Sequence, residues 1–334
     1  MESTTKNRKT REQVARMVER AFGGATLAAS EDAVSELKEG WFNAAYNVRL
    51  SDGREAILKV APLKDAEVLA YEQNIMVTEV ASMRLVRENP AIPVPEIYAF
   101  DTTRDVCDSE YFFMEKLAGD NYEQVKESLS PAMQAQIDRQ IGAIVREING
   151  FTGTYFGYDG NSDLRGATWK EAFLKIIDSV LEDGSRKQAD FGFPIDDIRG
   201  AILKHASSLE VVTTPQLVHW DAWDLNFFVK DGKITGILDF ERALWADLCW
   251  LLRTSVRKNR EQANLCSMER QRNAPVSREK DNIFSFYLEG NQGKTNSHRN
   301  LEMVIAFYPY FFLIPGTNAF RGLCCSLIVM VQPT

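Results

Sequence analysis

The reading of this chain turns on residues 217–247, LVHWDAWDLNFFVKDGKITGILDFERALWAD. They read as a short strand, a polar loop, a hairpin turned at Asp231-Gly232, and a strand that returns Asp239 to the side of the loop. Apolar flanks enclose six polar side chains: His219, Asp221, Asp224, Asn226, Asp239 and Glu241. Carboxylates at strand ends inside apolar surroundings are candidates for chemistry.

Phosphoryl transfer from a nucleotide calls for such a set. Magnesium ions must neutralise the phosphate oxygens, and a hard cation takes carboxylate and amide oxygens, which Asn226 and Asp239 supply. A further carboxylate must orient the attacking hydroxyl and accept its proton, a role open to Asp221 in the same loop. Asp221 and Asn226 are five residues apart, enough to wrap a loop around one centre.

In order, spacing and intervening hairpin these residues resemble the aminoglycoside phosphotransferase family. Residues 219–226, HWDAWDLN, look like its catalytic loop, and residues 237–241, ILDFE, like its metal-binding strand end. The resemblance continues through Arg242, Trp245 and Asp247, the last implied to anchor the loop. Trp220 stands where many members carry glycine, and Leu248 where proline commonly follows the aspartate. The resemblance implies an α+β, bilobal protein-kinase-like fold. Residues 1–117 would form a small antiparallel-sheet lobe with a helix, ending in the interlobe linker, and residues 118–334 a larger, mainly helical catalytic and acceptor-binding lobe. A protein kinase is disfavoured, because the loop reads His-Trp-Asp in place of His-Arg-Asp and no Ala-Pro-Glu follows Asp239.

Upstream, Thr10-Arg11-Glu12-Gln13 has the capping-box pattern and opens an amphipathic helix with Val14, Met17, Val18 and Ala21 on one face, stopped at Gly23-Gly24. Strands follow at 35–38, 46–50 and 55–60, the last two joined by the turn Ser51-Asp52-Gly53-Arg54. The link Glu39-Gly40-Trp41-Phe42-Asn43-Ala44 would fold over nucleotide phosphates in the resembled family, which makes Gly40 and Asn43 candidate contacts. Lys59 lies inside an apolar strand, where an ammonium must reach outward or find an anion. A helix expected over 66–88 offers Glu72 and Glu79 on one side. The resemblance selects Glu79 as the partner of Lys59 and leaves Glu72 as a solvated helix-face residue. Residues 89–95, NPAIPVP, end that helix, and strands at 96–100 and 111–114 complete the sheet. Met114 to Gly119 resembles the interlobe linker, with the backbone of Glu115 and Leu117 implied to read the adenine edge. Helices are expected from Ser130-Pro131 to Asn149-Gly150, from Thr168 to Gly184 and from Asp196 or Asp197 to about Leu209.

The 334 residues carry 39 Lys and Arg against 47 Asp and Glu, a formal net charge of −8, which argues against nucleic acid as a partner and suits cationic small molecules. Five scattered cysteines without a Cys-x-x-Cys pair point to reduced thiols and away from structural zinc. No signal-peptide pattern opens the chain, and the apolar run 301–315 is too short to span a membrane, so a cytoplasmic location is expected. The expected reaction moves the γ-phosphoryl group of ATP, with GTP as the other candidate donor, to a hydroxyl of a small molecule in the presence of Mg2+. Residues 253–280 hold eight basic and three acidic side chains without helical periodicity, and 322–334 is an unusual closing stretch. A degraded acceptor region would instead make the chain a nucleotide-binding pseudoenzyme or an inactive product.

Overall fold

The computed structural model describes residues 5–38, 42–247, 285–288, 301–308 and 326–333. Gly40 and the basic segment 253–280 lie outside the described residues. The chain forms two compact units: Met1–Phe151 with Asp221–Ala243, and Thr152–Trp220 with Leu244–Thr334. Residues 118–151 and the 221–243 segment group with the N-terminal sheet.

The first unit is built on a five-stranded antiparallel sheet in the order β1-β2-β3-β5-β4 (β1 Val34–Leu37, β2 Ala44–Arg49, β3 Glu55–Val60, β4 Ile97–Asp101, β5 Tyr111–Glu115). Helix α1, Arg11–Phe22, starts with Thr10 and Gln13 capping each other and ends at Gly23 with φ 53°, as the capping pattern predicts. Its Val14, Met17 and Val18 pack against Val48, Ala56, Leu58 and Val60, so α1 covers one face of the sheet. Strand alternation then sends Ile57 and Lys59 to the opposite face.

That opposite face meets helix α2, Ile75–Val86. The helix is shorter than the sequence suggested. Residues 70–72 form a separate 3-10 turn, and Asn74 takes a left-handed conformation (φ 53°, ψ 30°) that breaks the path between turn and helix.

After β5 the chain runs through a short strand β6 (Asp120–Asn121), the single-turn helix α3 (Tyr122–Val125) and helix α4 (Pro131–Ile148). Ser130 caps α4 and Pro131 occupies its first turn, which needs no amide donor. The hairpin of β8 (Phe227–Lys230) and β9 (Lys233–Ile237) rests on this scaffold. Gln140 of α4 donates to the Gly232 carbonyl at 2.9 Å and accepts from the Ile234 amide at 3.1 Å. Gly119 (φ +97°) lies so close to β8 that a Cβ there would sit 2.3 Å from the Val229 carbonyl oxygen. A Cβ at Gly236 would likewise meet Leu117. The linker and α4 thus fix the strands that flank the polar loop.

In the second unit, α5 (Trp169–Arg186) and α6 (Ile195–His205) bury Trp169, Phe173, Ile176, Ile177, Ile198 and Ile202. Strand β7 (Gln216–Val218) pairs antiparallel with β10 (Leu244–Ala246). Three further antiparallel strands, β11 (Ser285–Leu288), β12 (Leu301–Tyr308) and β13 (Ser326–Pro333), pair in that order. Among the described residues no helix is long and apolar enough to cross a membrane.

Candidate active site

Lys59 is the centre of the charge arrangement on the α2 side of the sheet. Its Nζ donates to Glu79 Oε1 at 2.6 Å and to Asp239 Oδ1 at 3.1 Å. Glu79, on α2, is fully buried and forms an ion pair with Lys59. Glu72 does not behave as the sequence suggested: it is 4% exposed, accepts from the Leu69 amide at 3.0 Å, and pairs with Arg242 at 3.3 Å. It lies on the 3-10 turn, so its position follows from the break before α2 and the pull of a distant arginine.

Asp239 reaches Lys59 from the end of β9. Its backbone is left-handed (φ 70°, ψ 53°), a conformation that costs a non-glycine residue roughly 1 kcal/mol or more unless its surroundings hold it. Three consecutive side chains do so. Phe240 is fully buried, Glu241 accepts from Asn43 Nδ2 at 2.9 Å, and Arg242 pairs with Glu72.

The polar loop closes on itself. Trp223 N–H donates to the Asp221 carbonyl at 3.0 Å, Asn226 N–H to the Trp223 carbonyl at 2.9 Å, and Asn226 Nδ2 to the Asp221 carbonyl at 2.8 Å. The Leu238 amide then donates to the Asn226 carbonyl at 2.9 Å, which ties the strand end carrying Asp239 directly to the loop. From the other side Lys126 holds Asp224 at 2.6 Å, and Asn121 donates to the Leu225 carbonyl. With its amide nitrogen committed, Asn226 has its side-chain oxygen left to offer a ligand. Trp220, which stands where glycine is common in the resembled family, has φ 63°, a left-handed backbone that glycine adopts without penalty.

Burial and charge set the protonation of these groups. Burial pushes the Asp221 carboxyl up to about 6, and the negative charge of Asp239 pushes the same way, against the pull of Arg242. Burial disfavours the Lys59 ammonium, but Asp239, Glu79 and Glu241 outweigh it and hold the lysine protonated, above its ordinary range. Burial raises the carboxyl of Glu241 well above its ordinary value, and Asp239 adds to the effect.

The donor chemistry fits magnesium. Glu79, Asp239 and Glu241 each bring a carboxylate oxygen within 4.8 Å of the others, and Glu79 Oε2 is buried without a hydrogen-bond partner. When ionised, these three carboxylates outnumber the one ammonium beside them, and a hard divalent cation would offset the excess. One oxygen of Glu79 accepts from Lys59 and one of Glu241 from Asn43, and both side chains are buried, whereas the Asp239 side chain is 30% exposed. Asp239 is the most open of the three carboxylates to a cation, and Asn226 lies on the loop that is bonded to its strand end.

A family model described as Phosphotransferase enzyme family matches residues 33–264. The chain belongs to that phosphotransferase enzyme family. Two curated relatives, subtelomeric hrmA-associated cluster proteins from two strains of Aspergillus fumigatus, are 28% and 31% identical over 156 residues. Those matches cover 46% of this chain and 30% of each relative, so the aligned region spans less than a third of their length. Among solved structures, a thermostable mutant of aminoglycoside phosphotransferase APH(4)-Ia in ternary complex with AMP-PNP and hygromycin B is similar at TM-score 0.52 and 15% identity. The match covers 79% of this chain and 84% of that one. A candidate fructosamine-3-kinase from Haemophilus somnus 129PT is similar at TM-score 0.52 and 14% identity, over 72% of this chain and 75% of that one. The fold is the kinase-like α+β fold expected from the loop and strand-end motifs.

Within this phosphotransferase-family chain, the first unit brings together Lys59, Glu79 and Asp239 in one hydrogen-bonded group and joins Asp221 to Asn226 in one loop. Asn43 is also at the site, with its amide on Glu241. The Glu115 amide already donates to the Glu96 carbonyl at 2.8 Å, so of its two backbone groups only the carbonyl can serve a base. Leu117 packs on Gly236 of β9. Sequence reasoning gave no role to Glu241, Arg242 or Glu72. The Arg242–Glu72 pair joins residues 170 apart, and Asn43–Glu241 joins residues 198 apart. The one local signal is the charged pair Glu241-Arg242, two and three residues after Asp239 in an otherwise apolar stretch.

Proposed function

We propose that this chain transfers the γ-phosphoryl group of ATP, with GTP as the other candidate donor, to a hydroxyl of a small molecule. The observation that carries the reading is Lys59 bridging Glu79 and Asp239, with Asn226 and Asp221 held in the loop bonded to the Asp239 strand. When bound, magnesium supplies charge neutralisation of the phosphate oxygens, and Asp239 with the Asn226 side-chain oxygen would hold it. Lys59, kept protonated by its carboxylate neighbours, binds the α- and β-phosphates, and Glu79 fixes where its ammonium sits. Asp221 orients the acceptor hydroxyl and takes its proton; with a carboxyl raised to about 6 it is ionised at neutral pH yet more basic than an ordinary aspartate. Catalysis of this kind rests on positioning and electrostatics, which the interlocked loop and strand end provide.

The net charge of −8 favours a cationic or amino-bearing acceptor. The hygromycin B complex of the structurally similar aminoglycoside phosphotransferase supports screening such compounds first. A panel of hydroxylated amines, amino sugars and neutral sugars, assayed for magnesium-dependent ADP release, tests the reading. The expected result is stimulation by at least one amine-bearing alcohol above the acceptor-free rate, abolished by EDTA. A phosphate-transfer rate that is unaffected by EDTA would contradict it.

A further inference from the structure

The turn after Asp239 raises a question that the phosphoryl-transfer roles leave open: why a buried glutamate follows so closely on a group meant to hold a cation. Glu241 is 7% exposed, and Asn43, 6% exposed, donates its side-chain amide to it at 2.9 Å. Asn43 immediately precedes β2, whose Ala45 is paired with Lys59 across the sheet. The hydrogen bond thus connects the Lys59 strand pair to the turn Phe240–Arg242, which itself packs against α2, the helix of Glu79. Asp239, one residue before the turn, is in a left-handed conformation that relaxes unless the turn is held.

We propose that Glu241 is a positioning residue for the divalent cation: by accepting the Asn43 hydrogen bond it fixes the strained turn that presents Asp239. The proposal rests on the phosphotransferase reading and adds to it a pair of residues that set cation affinity without binding the cation. The role requires a hydrogen-bond acceptor at position 241 and a donor at position 43. A negative charge at position 241 is not required, and that separates this role from direct ligation.

The test is Mn2+ binding to the full-length protein in the presence of ADP, read from the electron paramagnetic resonance signal of free Mn2+. Asn43→Ala and Glu241→Ala are each expected to weaken Mn2+ binding about tenfold, the effect of losing one hydrogen bond. The double variant should be no weaker than either single one, because both remove the same bond. Glu241→Gln keeps an acceptor and should remain within about threefold of the parent. Thermal unfolding without metal identifies any variant that does not fold, and Asn43→Ala with Glu241→Gln decide the matter if Glu241→Ala is lost. Glu241→Gln as weak as Glu241→Ala, with Asn43→Ala at the parent's affinity, would overturn the proposal by showing that the charge itself acts. A parent that binds no Mn2+ with ADP while remaining folded would instead contradict the phosphotransferase reading, and the positioning role with it.

Discussion

Asp221→Asn is expected to lower kcat by about 10²- to 10⁴-fold, the usual contribution of a positioned general base, while leaving the protein more stable at neutral pH than the parent. The two effects have one cause. Burial and the neighbouring Asp239 charge raise the Asp221 carboxyl from its ordinary 3.8 to about 6 in the folded state. A carboxyl raised on folding penalises the fold when ionised. The penalty is absent below about pH 3.8, grows as pH rises towards 6, and is fully present above that. The shift corresponds to roughly 3 kcal/mol as an upper bound, and asparagine removes it while preserving shape. Urea unfolding should show Asp221→Asn ahead of the parent by about 1–3 kcal/mol at pH 7.5, with the gap closing towards pH 4. The parent's kcat/KM should rise through a limb near pH 6 as Asp221 ionises, and the variant's residual rate should lack that limb. Equal stability at both pH values and an unchanged acid limb would show that Asp221 is not the perturbed group.

Lys59→Met should produce the largest loss of stability of any substitution at the site. The methionine fills similar space but removes the ammonium hydrogen-bonded to both Glu79 and Asp239, leaving three carboxylates within 4.8 Å of one another. Breaking a buried pair by removing one partner typically costs about 3–5 kcal/mol. With the lysine gone, these carboxyls gain affinity for protons in the folded state, so the variant's deficit should be greatest at pH 8 and shrink as pH falls. Magnesium alone should stabilise the variant more than the parent, since the cation can replace the lost positive charge. The double variant Lys59→Met, Glu79→Gln should recover part of the loss, because one of the stranded charges is then absent. Urea unfolding across pH, with and without magnesium, reads all of these. A variant as stable as the parent at pH 8 would mean that the buried charge group does not form.

Local signals in the sequence predicted local structure well. The Thr10 capping box, the Ser130-Pro131 helix start and the turns at Gly53 and Asp231-Gly232 each involve residues within a few positions of one another, and each appears where expected. Lys59 was conspicuous because an ammonium in an apolar strand needs a partner. The helix before the proline-rich turn starts later than its periodicity predicts. Periodicity alone does not show that Asn74 turns left-handed or that Glu72 is drawn to an arginine 170 residues away. Glu241 and Arg242 were visible as charges but silent as to role, because each bonds a partner that only the folded sheet and turn bring near. What the sequence could not supply was long-range pairing, and here that pairing holds the strained Asp239 in place.

We propose that Lys59, Asn226 and Asp239 together form a magnesium-nucleotide site. Thermal unfolding of the full-length protein with ATP, with magnesium, and with both tests it most directly, since a ligand that binds only the folded state raises the melting temperature. The expected result is a rise that requires magnesium and nucleotide together and is lost in Asp239→Ala. A cooperative transition unmoved by magnesium with either ATP or GTP would contradict it.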